Sequence, residues 1–349
     1  MAKVILRPKR DHWPTKEWVK GDPSDFQIPL EIASELNGRI PEQYPKMYAL
    51  LIVHRGHLIY ESYWGGMASD DVMDMRSATK SVTSAVIGTL EQRGIITDVE
   101  LPLEAWLDAE LKEIYARNPD PQEEREKRMT TLRHLLTMTS GFSWETGKKF
   151  GEKWIHHLHR SPHWVRYILQ RPIDPGMREK FQYRSTDSHL LSVLISRLTG
   201  KSASEWAGPH LFHKLGIRHY EWLSDPQGHS QGHVGLSMRS RDMAKLGWLY
   251  LNQGYWDGEQ LLAEQWVDDS WKEQAEGTDF HGTYGFQWWN KKLNGSMVHY
   301  ALGHGGQYIF AVPDKDMVVV MTSDPKVSRW KNPRTLLEQV IIPAVPDVK

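Results

Sequence analysis

The 349 residues predict an α+β fold: one antiparallel β-sheet flanked by helices, together with a mostly helical lobe. Three observations lead there. Apolar and β-branched residues alternate or run between turn residues at both ends of the chain, over 48–53 and 58–64, and again over 285–289, 297–302, Gln307–Val312 and 317–322. The stretch between them carries helical spacing instead. No internal repeat or low-complexity tract offers another architecture. Sequential strands tend to pair antiparallel, so the simplest packing sets the N-terminal hairpin beside the C-terminal meander. That divides the chain into a discontinuous sheet lobe, 1–69 with 276–349, and a helical lobe, 70–275, with a cleft between them.

Each element has a local reason. Residues 1–45 are broken by Pro8, Pro14, Pro23, Pro29 and Pro41, with a short helix expected over 30–37. Arg55-Gly56 joins the first two strands as a tight turn. Over 79–90 the apolar positions Val82, Ala85, Val86, Thr89 and Leu90 share one helical face, and Gly94 stops the helix. Residues 98–107 read as a loop around Pro102, and 119–128 as a charged, solvated segment. Thr130-Thr131 can cap a helix over 132–138 that Ser140-Gly141 ends. Asp187 is placed to cap a helix over 189–198, closed by Gly200. Further helices are expected over 161–170, 204–215, Ser240–Leu251, 263–271 and 333–342, and Pro313-Asp314-Lys315-Asp316 is a hairpin turn.

Composition excludes several function classes. A formal net charge of -1 gives no electrostatic footing for nucleic acid or an anionic membrane. No stretch reaches the roughly 20 apolar residues that span a bilayer. Residues 1–20 lack the apolar run of a secretory signal, and there is no cysteine for disulfides, thiolate metal sites or thiol nucleophiles. A cytoplasmic enzyme is the expectation. The 16 tryptophans exceed what a core needs, so some should line a cleft.

The chemistry centres on Ser77 and Lys80. Residues three apart on a helix share a face, so the hydroxyl and the amine can meet. The helix N-terminus adds partial positive charge beside an alkoxide. Ser323-Asp-Pro-Lys326 and Ser328-Arg-Trp-Lys331 have the same spacing, but only the Ser77 copy opens a helix with a buried face. Lysine has a reference pKa of about 10.4, so keeping it neutral at pH 7 costs roughly 4–5 kcal/mol unless the site buries it or supplies another proton acceptor. Tyr183-Arg184-Ser185 can present a phenol and a second hydroxyl to that amine. Gly303-His304-Gly305-Gly306-Gln307 opens a strand where backbone can approach a substrate and an N–H can face an oxyanion. His156, His157, His159 and His163 lie close in sequence, but Pro162 breaks their spacing and no His-Glu-x-x-His occurs. They read as surface or cleft-edge histidines, with no metal and no cofactor. Trp144, Trp289 and Tyr308 lie near these segments and are candidate pocket aromatics.

In this order, Arg76-Ser77-Ala78-Thr79-Lys80-Ser81, His134-Leu135-Leu136-Thr137-Met138-Thr139-Ser140-Gly141, Pro175-Gly176 leading to Tyr183-Arg184-Ser185, Arg241-Asp242-Met243-Ala244-Lys245-Leu246-Gly247 and His304-Gly305-Gly306 resemble the penicillin-recognising serine hydrolases. The similar branch holds class C β-lactamases, D-alanyl-D-alanine peptidases and carboxylesterases, among them the 6-aminohexanoate-dimer hydrolases. The resemblance covers residues 45–325 and implies a β-lactamase/transpeptidase-like fold. It also implies roles: Ser77 as acyl-forming nucleophile, Lys80 as its proton acceptor or the holder of the network, and Tyr183 as general base in acylation that passes the proton to the leaving group. The oxyanion would rest on the backbone N–H groups of Ser77 and Gln307, with Ser185, His304, Gly305 and Gly306 against the substrate. Two departures bear on specificity. His304 stands where β-lactamases carry a lysine that holds the penicillin carboxylate, and Ser185 stands where they carry asparagine. A small ester or short amide is therefore the expected substrate. A weak β-lactamase or peptidase and a catalytically silent binding module are the alternatives.

Overall fold

The computed structural model describes residues 10–117, 119–147 and 150–348. Its centre is a nine-stranded sheet built from both ends of the chain. From one edge the order is Val19–Lys20, His57–Tyr63, Met47–His54, Met317–Ser323, Gln307–Val312, Ser296–Gly303, Trp289–Leu293, Gly282–Tyr284 and Ala275–Thr278. The ends meet where Leu50 faces Met321 and Ile52 faces Val319 in an antiparallel register. One correction falls at the edge, where Val19–Lys20 runs parallel to His57–Tyr63 and makes the sheet mixed. That two-residue strand enters from a proline-broken segment and has too few residues to show a period.

Side-chain alternation assigns the two faces. Leu51, Val53, Ile309, Val318 and Val320 share a core with Met243, Ala244 and Trp248 of the helix Ser240–Leu251. Leu50, Ile52, Phe310, Val319 and Met321 share the other core with Ile32, Leu36 and Ile40 and with Leu336, Leu337 and Ile341 near the C-terminus. Gly247 lets the Ser240–Leu251 helix lie flat on the sheet, since a Cβ there would sit 2.7 Å from Val318 Cγ1 and 2.9 Å from Ile309 Cγ2.

The middle of the chain is more ordered than its sequence implied. The 98–107 loop and the 119–128 segment run into helices Glu104–Arg117 and Pro121–Arg128. The second has Pro121 in its first turn, an Asp120 side chain accepting from Glu123 N, and pairs of the i,i+4 kind from Glu123 to Lys127 (2.5 Å) and Glu124 to Arg128 (2.7 Å). These local bonds hold a helix that has little apolar face. A small sheet ordered Val72–Asp74, Leu236–Arg239, Tyr220–Trp222 was also illegible, its strands being three or four residues long. The strand expected over 285–289 is a turn, with Gly285 N donating to Trp288 O at 2.9 Å and Gln287 at φ 63. The helix after Tyr183 begins at Ser185, so Asp187 sits inside its first turn and accepts from Ser140 Oγ at 2.9 Å rather than capping it. Among the described residues no helix is long and apolar enough to cross a membrane.

Candidate active site

The turn that carries Ser77 is fixed from both sides. Met75 N donates to Leu236 O at 2.9 Å, and Asp74 Oδ1 accepts from Arg76 N at 2.8 Å, which holds Arg76 at φ 50. A single 3₁₀ turn, Arg76–Ala78, then leads into the α-helix Thr79–Gln92, whose first twelve residues are buried. Strand Ser296–Gly303 lies directly against this turn, because a Cβ on Gly303 would fall 2.2 Å from Met75 O. Ser77 is half-buried there.

Lys80 is 2% exposed and its ammonium nitrogen has three oxygen neighbours: Ser77 Oγ at 3.3 Å, Ser185 Oγ at 3.1 Å and the His233 carbonyl at 3.2 Å. Loop 232–236 reaches that place because Thr83 Oγ1 donates to Gly232 O at 2.8 Å. Burial lowers the Lys80 pKa to about 8, against the opposing pull of the Glu152 carboxylate. The amine also lies 4.7 Å from the centre of the Tyr183 ring. Burial and then Glu152 push the Tyr183 phenol well above its ordinary range, while interaction with Ser77 pulls it back.

The tyrosine is held by its neighbours in sequence. Thr146 Oγ1 donates to Tyr183 O at 2.6 Å, and the buried Arg184 donates to the carbonyls of Phe142 (2.9 Å) and Met138 (3.0 Å). The structure thus brings Ser77, Lys80, Tyr183 and Ser185 together.

The remaining candidates divide. Trp289 is stacked against Tyr183 with ring centres 6.4 Å apart, and Phe150 packs beside both, 4.6 Å from Tyr183 and 5.4 Å from Trp289. Phe150 and His281, 4.7 Å apart, extend this into an aromatic wall that the sequence did not single out. Trp144 turns its indole N–H to Glu152 Oε1 at 2.6 Å and so braces a carboxylate. Gly305 and Gly306 sit at φ 86 and 104, so the triplet makes the turn between two strands that its glycines suggested. Gln307 pairs with Gly303 there, and its side chain is locked onto Ser323 O at 2.7 Å. His304 is exposed, with a ring nitrogen bonded to Val327 O at 2.7 Å and its ring against Trp330. Tyr308 lies away from these groups. Its ring is stacked on Phe310 and its hydroxyl donates to Asn332 at 2.9 Å, a core position under the C-terminal segment.

Sequence reasoning missed Glu152 entirely. Oε1 accepts from Ser185 N at 2.7 Å and Oε2 from Ser185 Oγ at 2.5 Å. A lone glutamate in a polar loop carries no local signal, and only the folded loop reveals its partners.

All four clustered histidines are exposed, and one ring nitrogen of His159 meets that of His233, with their Nε2 atoms 3.0 Å apart. A different set has metal-ligand character: His189, Asp225 and His229, all buried, with ligand atoms within 4.8 Å of one another. Hydrogen bonds already account for both Asp225 oxygens. Oδ1 accepts from the backbone N–H groups of Gln227 and His229, each at 2.9 Å, and Oδ2 meets both imidazoles at 3.0 Å.

The model of the beta-lactamase family matches residues 43–336. The chain belongs to that family. It is 24% identical over 350 residues to the 6-aminohexanoate-dimer hydrolase of Paenarthrobacter ureafaciens, an alignment covering 92% of this chain and 84% of that protein. A D-stereospecific amidohydrolase from Streptomyces sp. shares the fold with a TM-score of 0.62 at 17% identity, covering 84% of this chain and 93% of that one. EstCE1, a hydrolase with promiscuous acyltransferase activity, does so with a TM-score of 0.65 at 15% identity, again over 84% and 93%.

Proposed function

We propose that this chain is a serine hydrolase that forms an acyl-enzyme on Ser77 and releases it to water, acting on small esters or short amides. The observation that carries the reading is the buried Lys80 amine, 3.3 Å from Ser77 Oγ and held near a pKa of about 8. A substantial fraction is then neutral close to physiological pH, which ordinary lysine cannot offer.

The proton route follows from the opposed shifts. Lys80 is pushed down and Tyr183 up, so near neutral pH part of the amine is unprotonated and free to accept a proton while the phenol keeps its own. Ser77 Oγ attacks the carbonyl carbon as its proton passes to Lys80. Tyr183 donates to the departing alkoxide or amine as the Ser77–acyl bond is kept and the old acyl bond breaks, and the Lys80 ammonium beside it returns a proton to the phenol. Water then attacks the acyl carbonyl by the reverse path. The developing oxyanion rests on the backbone N–H groups of Ser77 and Gln307, beside the Gly303 approach. Phe150, Tyr183 and Trp289 offer an apolar wall to the substrate. An exposed His304 bound to Val327 O replaces the lysine expected of a penicillin carboxylate site, which favours esters and amides over β-lactams.

The test is p-nitrophenyl acetate and butyrate hydrolysis, with mass spectrometry of the trapped acyl-enzyme. Wild type should turn over and carry the adduct on Ser77, and Ser77→Ala should lose both. Turnover that survives Ser77→Ala overturns the reading; binding without turnover in either protein supports the silent module, and labelling by a fluorescent penicillin without ester turnover supports the β-lactamase alternative.

A further inference from the structure

We infer that Glu152, through Ser185, aims the Lys80 lone pair at Ser77, making it a positioning residue for the nucleophile. The inference rests on the serine-hydrolase reading above and adds a member to it.

A serine hydroxyl has one proton and two lone pairs, and it rotates to suit its surroundings. Ser185 alone would be ambiguous towards Lys80, able either to donate to a neutral amine or to accept from it. Glu152 removes the ambiguity. Its Oε2 lies 2.5 Å from Ser185 Oγ, and an ionised carboxylate can only accept, so the Ser185 proton is committed to Glu152. Oε1 accepts from Ser185 N at 2.7 Å and from the Trp144 indole at 2.6 Å, so the carboxylate cannot swing away without breaking two further bonds.

With its proton spent, Ser185 presents only lone pairs to Lys80 at 3.1 Å. The His233 carbonyl, 3.2 Å from the same nitrogen, is likewise an obligate acceptor. A neutral amine has two N–H bonds and one lone pair. Two obligate acceptors take both N–H bonds, and the remaining direction is that of Ser77 Oγ at 3.3 Å. The lone pair therefore meets the one hydroxyl whose proton must leave. Asparagine at the Ser185 position would reach the same end with a carbonyl oxygen; here a serine and a carboxylate do it jointly.

Glu152 has a second, separable consequence. Its charge favours the ammonium form of Lys80, so neutralising it should lower the amine's pKa. Orientation and charge can be read apart with two substitutions. Both variants lose the charge, and neither keeps the acceptor for Ser185 Oγ. In Glu152→Gln the one oxygen stays with the Ser185 and Trp144 N–H groups and an NH2 faces the hydroxyl, and in Glu152→Ala nothing does, so the acid limb reports charge and the plateau reports orientation.

The experiment measures the second-order rate of Ser77 labelling by a fluorophosphonate as a function of pH. It requires no turnover and no knowledge of the natural substrate. In Glu152→Gln the acid limb should move to lower pH by about one unit, and the plateau should fall about tenfold because Ser185 Oγ no longer meets an acceptor there. In Glu152→Ala the plateau should fall at least tenfold. Ser185→Ala should fall similarly, and adding Glu152→Ala to it should cost little more, because the two act in one chain. An unmoved limb in Glu152→Gln together with a normal plateau in Glu152→Ala overturns the inference alone. Equal, thousandfold losses in Glu152→Gln and Glu152→Ala overturn it too, by making Glu152 the base itself. Absence of wild-type labelling at Ser77 removes the serine-hydrolase reading, and the inference falls with it. Circular dichroism melting curves for each variant separate these outcomes from misfolding.

Discussion

Lys80 is a residue whose surroundings work against its usual state. Full burial lowers its pKa to about 8, so the ammonium form dominates below that value and the free amine above it. If the free amine takes the Ser77 proton, kcat/KM for a p-nitrophenyl ester should rise with pH and level off above about 8. A profile that is flat from pH 6 to 9 would contradict the assignment. Lys80→Ala should lower kcat/KM by about 10²–10⁴ at every pH, the usual contribution of a general base. At this scale the sequence was informative where chemistry depends on local spacing. Ser77 and Lys80 stand one helical turn apart, and Tyr183 and Ser185 straddle the start of the next buried helix. It was silent on Glu152, on Phe150 and on the His233 carbonyl, whose contribution is a contact between distant segments. Tyr308 shows the opposite error, since nearness to the His304-Gly305-Gly306 turn says nothing about which face of a strand a side chain occupies. Its period-2 position places it in the core with Phe310.

Among the elements, the decisive contact is between strand Ser296–Gly303 and the turn that carries Ser77. Gly303 is its point of closest approach. A methyl group there would have to displace Met75 O from 2.2 Å, moving either the strand or the nucleophile. Gly303→Ala is expected to keep the overall fold by circular dichroism yet lower kcat/KM by about 10²-fold, the cost of misplacing a reacting group by about 1 Å. Helices with a clear apolar stripe, such as Ser240–Leu251, were legible to the residue. Pro121–Arg128 was not, because its stability comes from a cap and side-chain pairs rather than from an apolar face. The three strands of the small sheet were too short for alternation to register, although they set the entry to the nucleophile turn through Met75 and Leu236.

The molecule as a whole depends on pairing its two ends. Met47–His54 lies against Met317–Ser323, so the central sheet closes only after about 270 residues of intervening chain are brought round. Ile52 is fully buried at that junction, opposite Val319. Ile52→Ala should lower the unfolding free energy by about 2–5 kcal/mol, measured by urea denaturation, with activity per folded molecule retained. A loss below about 1 kcal/mol would mean that the junction is less tightly packed than its burial implies. Behind the catalytic groups, Asp225 ties His189 of one helix to His229 of the following loop, a buried polar junction that steadies the His233 segment facing Lys80.

The sequence by itself determined the fold class, most helices and the central strands, because periodicity and turn chemistry are properties of consecutive residues. It also marked the serine, the amine and the phenol, because each opens a helix or strand in a recognisable order. Tertiary structure alone decided the parallel edge strand, the aromatic wall and the carboxylate behind Ser185. Their positions follow from which distant backbones pack together, and no local pattern encodes the direction in which a loop side chain will meet them.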